Sequence, residues 1–407
     1  GNTTVLIPQG QTSFTASIVI VDDTADEGDE IMKIKFGSLP SGFVRMNDNL
    51  LIEIIDNDYF VAPWGTPLNP TYGVVTSTAP VGYYSSLEGK SGNVLKQAIQ
   101  DIIANPSVVH AHNYGDVNII LQTADQNPLN SNEVWLMYKE FPRSKLLIQT
   151  TGNGVGKWNR EHIYPQSRGG FSNGTADIAD GINIWETTNA NMLVHGHADA
   201  HHIRAEDGSE NSSRNNKDFG LSDYNGFAGN AGSWKGDVAR AVFYMSIRYN
   251  GLDVVNGNPA DSTVGQLGDL ATLLLWNTQD PADDFEMNRN NYIYTWQLNR
   301  NPFIDYPLLA NYIWGANAGQ TWYANLSTNK NESLSIVVYP NPASNYFVVS
   351  GTNESGGTVE LVTISGQVVM QTEFTTNQQI NLNVSTGIYF AKIKIGEKIN
   401  IKKLVVK

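Results

Sequence analysis

The chain has 407 residues, of which 41% are hydrophobic and 16% are charged, a composition that fits two or three folded domains and excludes a disordered polyelectrolyte. Its formal net charge of −14 excludes a protein that coats nucleic acid through bulk electrostatic attraction. Cysteine is absent, which excludes disulfides and thiolate zinc sites, and no apolar run approaches the roughly 20 residues of a membrane span.

Residues 1–58 are predicted to form strands, because SFTASIVIVDD and EIMKIKFG alternate apolar and polar residues and LLIEIIDND closes the region. Six carboxylates crowd residues 22–30. Such a turn is either solvated or bridged by a hard cation, so a Ca²⁺ site with Asp22, Asp23 and Glu27 is one of two interpretations. The region resembles the second half of a Calx-β domain, which implies a partial β-sandwich whose first half would precede residue 1.

Residues 59–78 are rich in proline, glycine and threonine and are predicted to be a linker. From residue 79 to residue 325 the pattern predicts a mixed domain of helices and strands. Apolar periodicity predicts three core-packing helices, in GNVLKQAIQDIIAN, DVARAVFYMSIRYNG and QLGDLATLLLWN.

Chemistry is concentrated in this middle region, which holds all seven histidines. Phosphodiester hydrolysis needs a base for water, stabilisation of the leaving oxygen and a match for the phosphate charge. The segments GKWNREHIYPQSRGG and ENSSR can supply all three. We assign His162 as general base, Glu161 and Asn211 as ligands of one Mg²⁺ ion, and Arg168 or Arg214 as the phosphate contact.

Residues 139–168 contain six basic residues and two acidic ones, so positive charge is locally concentrated. Within this segment we expect Lys157, Asn159 and Arg160 to contact nucleic acid. A helix is predicted to begin near Asp207, because Glu210 follows three residues later as in a capping box. The adjacent Glu161 and His162 can serve one site only if they lie at a strand end or an irregularity.

The stretch LVHGHADAHHI supports a competing interpretation, a zinc-dependent hydrolase that uses His195, His197, Asp199 and His201. Ala200 stands where that ligand pattern needs a histidine. A regular strand over residues 199–203 would also turn Asp199 and His201 to one face and His202 to the other, which weakens the zinc interpretation. A third interpretation is a non-catalytic surface adhesin.

Residues 79–325 resemble the bacterial endonuclease I family through five segments in family order: YYSSLEGKSGNVLKQAIQDII, WNREHIYPQS, DAHHIRAEDGSENSSRNNKDFG, GDVARAVFYMSIRY and NRNPFIDYP. The resemblance implies an α+β domain with a ββα-metal (His-Me) finger, and Mg²⁺-dependent, largely sequence-independent cleavage of DNA, often also of RNA. Mn²⁺ or Ca²⁺ are expected substitutes for Mg²⁺. The resemblance implies the same roles for Glu161, His162 and Asn211. It also implies that Asp199, His201 and His202 orient the finger.

Residues 326–335 are predicted to be a spacer and residues 336–407 a small β-sandwich, because short strands there are divided by glycine, proline and asparagine. The motifs YPNP, GIY and the terminal KKLVVK resemble the C-terminal sorting domain of the type IX secretion system. This implies recognition by that machinery and a protein that is released outside the cell or attached to its surface. We expect a monomer.

Overall fold

The computed structural model describes residues 9–13, 15, 17–35, 37–44, 46, 50–171, 174, 176–324, 336–350, 356–363, 367–395 and 398–407. The chain divides into a large unit, residues 1–322, and a small unit, residues 323–407. Among the helices of the described ranges, none has the length and apolarity needed to cross a membrane. The spacer predicted at residues 326–335 lies outside the described residues.

In the N-terminal region, the described residues include the antiparallel pair β1 (Glu30–Ile34) and β2 (Leu50–Ile54). The strand predicted in SFTASIVIVDD is wrong for the described part of that segment, which contains no strand. Val19 and Val21 are 83% and 80% exposed. A sequence that alternates apolar and polar residues forms a strand where another strand pairs with it and a neighbouring layer covers its apolar face. Among the described residues, this segment has no partner strand and no layer that covers its apolar face.

Residues 59–78 contain no helix or strand, as a linker would, but they are bound along the large unit. The N–H group of Val75 donates to the Asp284 carboxylate at 2.9 Å, and that of Thr78 donates to the Asn291 side chain at 2.9 Å. The segment is therefore an irregular stretch of chain that polar contacts hold against the rest of the large unit.

The rest of the large unit is a mixed α/β structure. Its helices are α1 (Gly92–Ile103), α2 (Tyr114–Ala124), α3 (Gln166–Gly169), α4 (Gly208–Arg214), α5 (Lys235–Arg248), α6 (Leu270–Gln279), α7 (Asp284–Gln297), α8 (Pro302–Asp305) and α9 (Leu309–Ile313). Its strands form the pairs β3 (His110–Ala111) with β7 (Glu186–Thr187), β4 (Glu133–Leu136) with β5 (Phe141–Ser144), β6 (Trp158–His162) with β8 (Ile203–Asp207), and β9 (Asp253–Val254) with β10 (Gln266–Leu267).

The three helices predicted from periodicity are confirmed as α1, α5 and α6. In α1 the side chains of Leu95, Ile99 and Ile103 recur on one face and are fully buried. Helix α5 is buried along almost its whole length, which makes it the central helix of the unit.

The ladder of β6 and β8 leads to the candidate site. The strands are antiparallel, with Trp158 opposite Asp207 and His162 opposite Ile203. Strand β8 runs directly into α4, whose first N–H groups, those of Ser209 and Glu210, donate to the Asp207 side chain at 2.9 and 3.0 Å. The predicted helix start is therefore confirmed. Trp158 and Ile203 pack beneath the ladder against apolar residues of α2 and β4.

The strand predicted over residues 199–203 is wrong for its first four residues. Leu193–Ala198 and Ala200–His202 are 3₁₀ helices, and the strand begins at Ile203. The side chain of Asp199 accepts a hydrogen bond from the N–H group of His201 at 3.1 Å, a local contact that favours a turn over an extended ladder.

The small unit is all-β, as predicted. Two sheets, ordered β11–β12–β15 and β14–β13–β16–β17, enclose a core that includes Phe347, Leu361 and Leu404. The strands are β11 (Val337–Tyr339), β12 (Tyr346–Ser350), β13 (Gly356–Thr363), β14 (Val368–Thr375), β15 (Gln379–Asn381), β16 (Gly387–Ile395) and β17 (Lys398–Val406).

Candidate active site

An open cleft of about 360 Å³ lies where β6 ends beside α4. It brings together Glu161, His162 and Asn211, which stand up to 50 residues apart in the chain. His162 is the last residue of β6, so the adjacent pair lies at a strand end, as predicted. The lining residues are Arg160, Glu161, His162, Pro165, Gln166, Ser167, Asn211, Ser212, Asn215 and Asn216.

The His162 ring is held in one tautomer. Its Nε2 atom lies 2.9 Å from the carbonyl oxygen of His197. Because a carbonyl can only accept, this contact assigns the proton to Nε2 and leaves a lone pair on Nδ1. The side-chain amide of Gln166 donates to Nδ1 at 3.2 Å. Burial, followed by the neighbouring His202, lowers the pKa of His162 well below its ordinary value, so the ring is neutral at pH 7 and Nδ1 can accept a proton.

Glu161 is a buried carboxylate with few compensating contacts. The Tyr138 hydroxyl donates to its Oε1 atom at 2.9 Å, and the Arg214 Nε atom lies 3.6 Å from the same oxygen. Burial raises the pKa of Glu161 to about 7, although Arg214 and Tyr138 act in the opposite direction. A divalent cation beside this carboxylate would therefore stabilise its charged form.

Asn211 lies on α4, and its amide orientation is assigned by two acceptors. Its Nδ2 atom donates to Asn159 Oδ1 at 2.8 Å and to the carbonyl oxygen of Arg160 at 3.3 Å. No described residue donates to its Oδ1 atom, which remains available as a ligand. One carboxylate and one amide oxygen, both hard donors, fit Mg²⁺, which usually keeps several waters and takes few protein ligands.

The two arginines predicted at the phosphate are fully buried and are absent from the cleft lining. Arg168 is fully buried, with Nε bound to the Gln266 carbonyl at 3.0 Å and Nη2 2.9 Å from Asp218. Arg214 is also fully buried, and its Nη2 donates to the Ile163 carbonyl at 2.6 Å. Protein acceptors already hold both guanidinium groups, and neither lines the cleft.

Arg160 is the arginine that lines the cleft. Its guanidinium carbon lies 3.4 Å from the centre of the Tyr114 ring, and its Nη2 atom donates to the carboxylate of Asp177 at 2.9 Å. Asp177 is 70% exposed, so a phosphate can replace it from the solvent side. Of the other two predicted nucleic-acid contacts, Asn159 holds the amide of Asn211, and Lys157 is half-buried and outside the cleft lining.

The histidine-rich segment, residues 195–202, is buried and hydrogen-bonded within the large unit. Asp199 accepts hydrogen bonds from the Tyr244 and Tyr249 hydroxyls at 2.9 and 3.0 Å. The Nε2 atoms of His201 and His202 contact the carbonyl oxygens of Asn299 and Gly196 at 3.1 and 2.7 Å. These contacts link the segment to α5 and to the end of α7, which agrees with a supporting role.

Neither predicted alternative metal site is assembled within the part of the chain that the structure describes. The proposed zinc ligands His195, His197, Asp199 and His201 do not bring three ligand atoms within coordinating distance of one another, and Asp22, Asp23 and Glu27 do not do so either. The zinc interpretation therefore lacks a site, and calcium binding at the acidic turn stays a prediction.

Two residues of the site were not predicted from sequence. Tyr138 contacts Glu161 from 23 positions upstream, and nothing in the sequence spacing marks it. Gln166 begins the short helix that follows Pro165, four positions after His162, and this closeness in the chain is the signal that could have found it.

Comparison with known proteins identifies two families in the chain. Residues 91–233 and 231–308 match the family described as Endonuclease I, and residues 337–407 match the secretion system C-terminal sorting domain. The chain is 38% identical over 270 residues to the protein named extracellular ribonuclease of Bacillus amyloliquefaciens, covering 61% of this chain and 85% of that protein. It is 39% identical over 249 residues to the protein of the same name from Bacillus subtilis (strain 168), covering 57% and 78%.

The protein is thus a secreted nuclease, an enzyme that hydrolyses phosphodiester bonds. It belongs to the Endonuclease I family, and its small unit is a type IX sorting domain, which places it outside the cell or on the cell surface. A solved structure of PorZ, a surface component of the type IX secretion system of Porphyromonas gingivalis, matches 20% of this chain and 12% of that chain at 21% identity, with a TM-score of 0.17 that is too low to indicate a shared fold.

Proposed function

We propose that the large unit cleaves DNA and RNA with little sequence preference, in a Mg²⁺-dependent reaction at a ββα-metal finger made of β6, β8 and α4. The observation that carries the proposal is the convergence of Glu161, His162 and Asn211 on one cleft. The family supports phosphodiester hydrolysis, and the names of the two Bacillus relatives support RNA as a substrate.

Each residue has one role in this proposal. Glu161 and Asn211 would hold the ion through a carboxylate and an amide oxygen, and the ion would supply positive charge for the phosphate and the leaving oxygen. His162 removes a proton from the attacking water at Nδ1, after this water replaces the Gln166 amide at that lone pair. Its Nε2–H group donates to the His197 carbonyl at 2.9 Å, which fixes the ring and stabilises the imidazolium that forms.

The cleft also supports low sequence preference. Its lining consists of polar side chains and one proline, with Arg160 as the arginine that matches the phosphate charge. Polar and cationic groups of this kind contact the sugar-phosphate backbone, which is the same for every sequence. Cleavage should therefore weaken with salt, by a modest amount if Arg160 is the main cation at the phosphates, and produce no sharply defined recognition pattern.

The test is cleavage of supercoiled plasmid and of single-stranded RNA by the full chain, in Mg²⁺, in chelator, and in chelator followed by excess Mg²⁺ or Zn²⁺. His162→Ala should lower the rate on both substrates by about 10²- to 10⁴-fold, because general-base catalysis is lost. The matched control is His110→Ala, a histidine that packs on Trp185 outside the cleft and should keep the wild-type rate.

Three outcomes would contradict the proposal. An unchanged rate in His162→Ala would remove the general base. Restoration by Zn²⁺ and not by Mg²⁺ would favour the zinc hydrolase. Failure of the wild-type protein to cut either substrate under any of these conditions would favour the adhesin.

A further inference from the structure

We infer that the large unit carries a second cation site, for Ca²⁺, formed by Asp218, Asp223 and Asp261. Asp218 and Asp223 lie in the loop that follows α4, and Asp261 lies between β9 and β10. One carboxylate oxygen of each residue lies within 4.8 Å of the other two, a group of three that the described residues form nowhere else. This site is separate from the proposed catalytic residues.

Asp218 provides independent support. Its side chain is fully buried, and its Oδ1 atom accepts from the Gly268 N–H group at 2.5 Å and lies 2.9 Å from Arg168 Nη2. Its Oδ2 atom, also buried, accepts no hydrogen bond from any described residue. Leaving a buried carboxylate oxygen without a partner is costly, and a cation bound at Oδ2 removes that cost.

The charge balance around the group also favours a divalent cation. Arg168 is the basic partner of Asp218, and its Nη1 atom lies 3.8 Å from Asp261. The three carboxylates and this one guanidinium group leave an excess of two negative charges. Asp261 is 54% exposed, so an ion can enter from solvent and keep some of its water.

The ligand chemistry selects Ca²⁺ among common cations. The donors are oxygen atoms alone, which excludes a zinc site built on nitrogen or sulfur. Ca²⁺ binds oxygens at about 2.3–2.6 Å, so opposite ligands stand up to about 5 Å apart and irregular geometry is accepted. Mg²⁺ requires near-octahedral contacts at about 2.0–2.1 Å, which carboxylates from two loops suit poorly, because one of them is already held by Arg168 at 2.9 Å.

Such an ion would support the wall of the catalytic cleft. Arg168 donates to the carbonyl oxygen of Asn216 at 2.8 Å, and Asn216 lines the cleft. Arg168 also belongs to α3, whose first residue, Gln166, contacts His162. Ca²⁺ would therefore tie together the loop after α4, the loop of Asp261 and α3, and its main effect would be on stability.

The experiment is a thermal unfolding series of the chelator-treated full chain with added CaCl₂ or MgCl₂. All nine tryptophans lie in residues 1–322, so tryptophan fluorescence follows the large unit alone. At a CaCl₂ concentration about 100 times the dissociation constant we expect the Tm to rise by about 5 °C, with a smaller rise in MgCl₂. Asp261→Asn and Asp223→Asn should lose at least two thirds of that rise.

Two controls separate this site from the others. Asn211→Ala removes a proposed catalytic ligand, and Asp23→Asn alters the acidic N-terminal turn; both should keep most of the calcium-dependent rise, because Ca²⁺ bound at either of those places contributes only the remainder. The inference is overturned if Asp261→Asn keeps the rise, if either control abolishes it, or if the wild-type Tm does not respond to CaCl₂. Because the readout is Tm, failure here leaves the proposed nuclease function intact.

Discussion

Asn159 determines the orientation of the Asn211 amide. Its Oδ1 atom accepts from Asn211 at 2.8 Å, and its own amide nitrogen donates to Gln149 at 2.8 Å. We predict that Asn159→Ala raises the Mg²⁺ concentration for half-maximal cleavage by about 10- to 100-fold, because a ligand without its supporting hydrogen bond is poorly oriented. The rate at saturating Mg²⁺ should change much less. The measurement is plasmid cleavage across a Mg²⁺ titration.

Asn153→Ala is the control for this prediction. Asn153 is an exposed residue whose side chain accepts a hydrogen bond from the nearby Val155 N–H group at 3.0 Å. It should leave the Mg²⁺ dependence unchanged. An Asn159→Ala protein with wild-type Mg²⁺ dependence would contradict the positioning role.

At the scale of single residues, the sequence indicates the chemical role of a side chain more readily than its burial. Glu161, His162 and Asn211 were assigned from the needs of the reaction and from family order, and they share one cleft. Arg168 and Arg214 were assigned from charge, and both are fully buried. Sequence does not show which carboxylate pairs with an arginine, because Asp218 stands 50 residues from Arg168.

The N-terminus of α4 depends on Asp207. Its Oδ1 atom accepts the N–H groups of Ser209 and Glu210, and its Oδ2 atom pairs with Arg143 Nη1 at 2.7 Å. We predict that Asp207→Ala lowers the free energy of unfolding by about 1–2 kcal/mol through loss of the cap, with a further loss from the unpaired Arg143. The measurement is urea unfolding followed by tryptophan fluorescence.

Asp207→Asn is the matched variant, because asparagine keeps a capping oxygen while it loses the charge. It should be more stable than Asp207→Ala. Equal stability of the two variants would show that the cap contributes nothing and that the ion pair with Arg143 accounts for the whole effect.

At the scale of elements, long periodic helices were predictable and irregular segments were not. Helix α1 follows from its apolar spacing, and α4 follows from its cap. The predicted strand over residues 199–203 is largely a 3₁₀ turn because Asp199 bonds to the N–H group of His201, a local contact that competes with the ladder. The residue pattern alone does not show whether the local hydrogen bond or the backbone hydrogen bonds of a strand ladder are the more stable.

At the scale of the whole molecule, the basic character of residues 139–168 serves the fold more than the substrate. Lys139 pairs with Glu210 at 3.2 Å, Arg143 with Asp207 at 2.7 Å and Arg168 with Asp218 at 2.9 Å. Sequence predicted the concentration of charge, but the acidic partners come from residues 207–218 and are brought close by β8 and α4. This explains how a nuclease with a net charge of −14 retains a compact basic segment.

Burial shifts the pKa values of two histidines and two aspartates of the large unit in opposite directions. It lowers the pKa of His201 and His202 to about 4 and raises the pKa of Asp280 to about 6 and of Asp283 to about 7. The histidine contribution to stability is complete above pH 6.5 and is lost as the pH falls towards 4, because the unfolded chain takes up protons first. The carboxyl contribution improves over the same range, so the two partly cancel.

The variant His202→Gln isolates the histidine contribution to the pH dependence of stability. The His202 Nε2–H group donates to the Gly196 carbonyl at 2.7 Å, a contact that a glutamine amide can also make, but glutamine does not titrate. We predict that the stability advantage of the wild type over this variant is constant between pH 7 and 8. Below pH 6.5 it should fall by about 1 kcal/mol per pH unit, since the wild-type unfolded state then gains protonation free energy that the variant lacks. Urea unfolding of both proteins at pH 5, 6, 7 and 8, followed by tryptophan fluorescence, measures this difference, and a difference that is the same at all four values would mean that folding leaves the pKa of His202 unchanged.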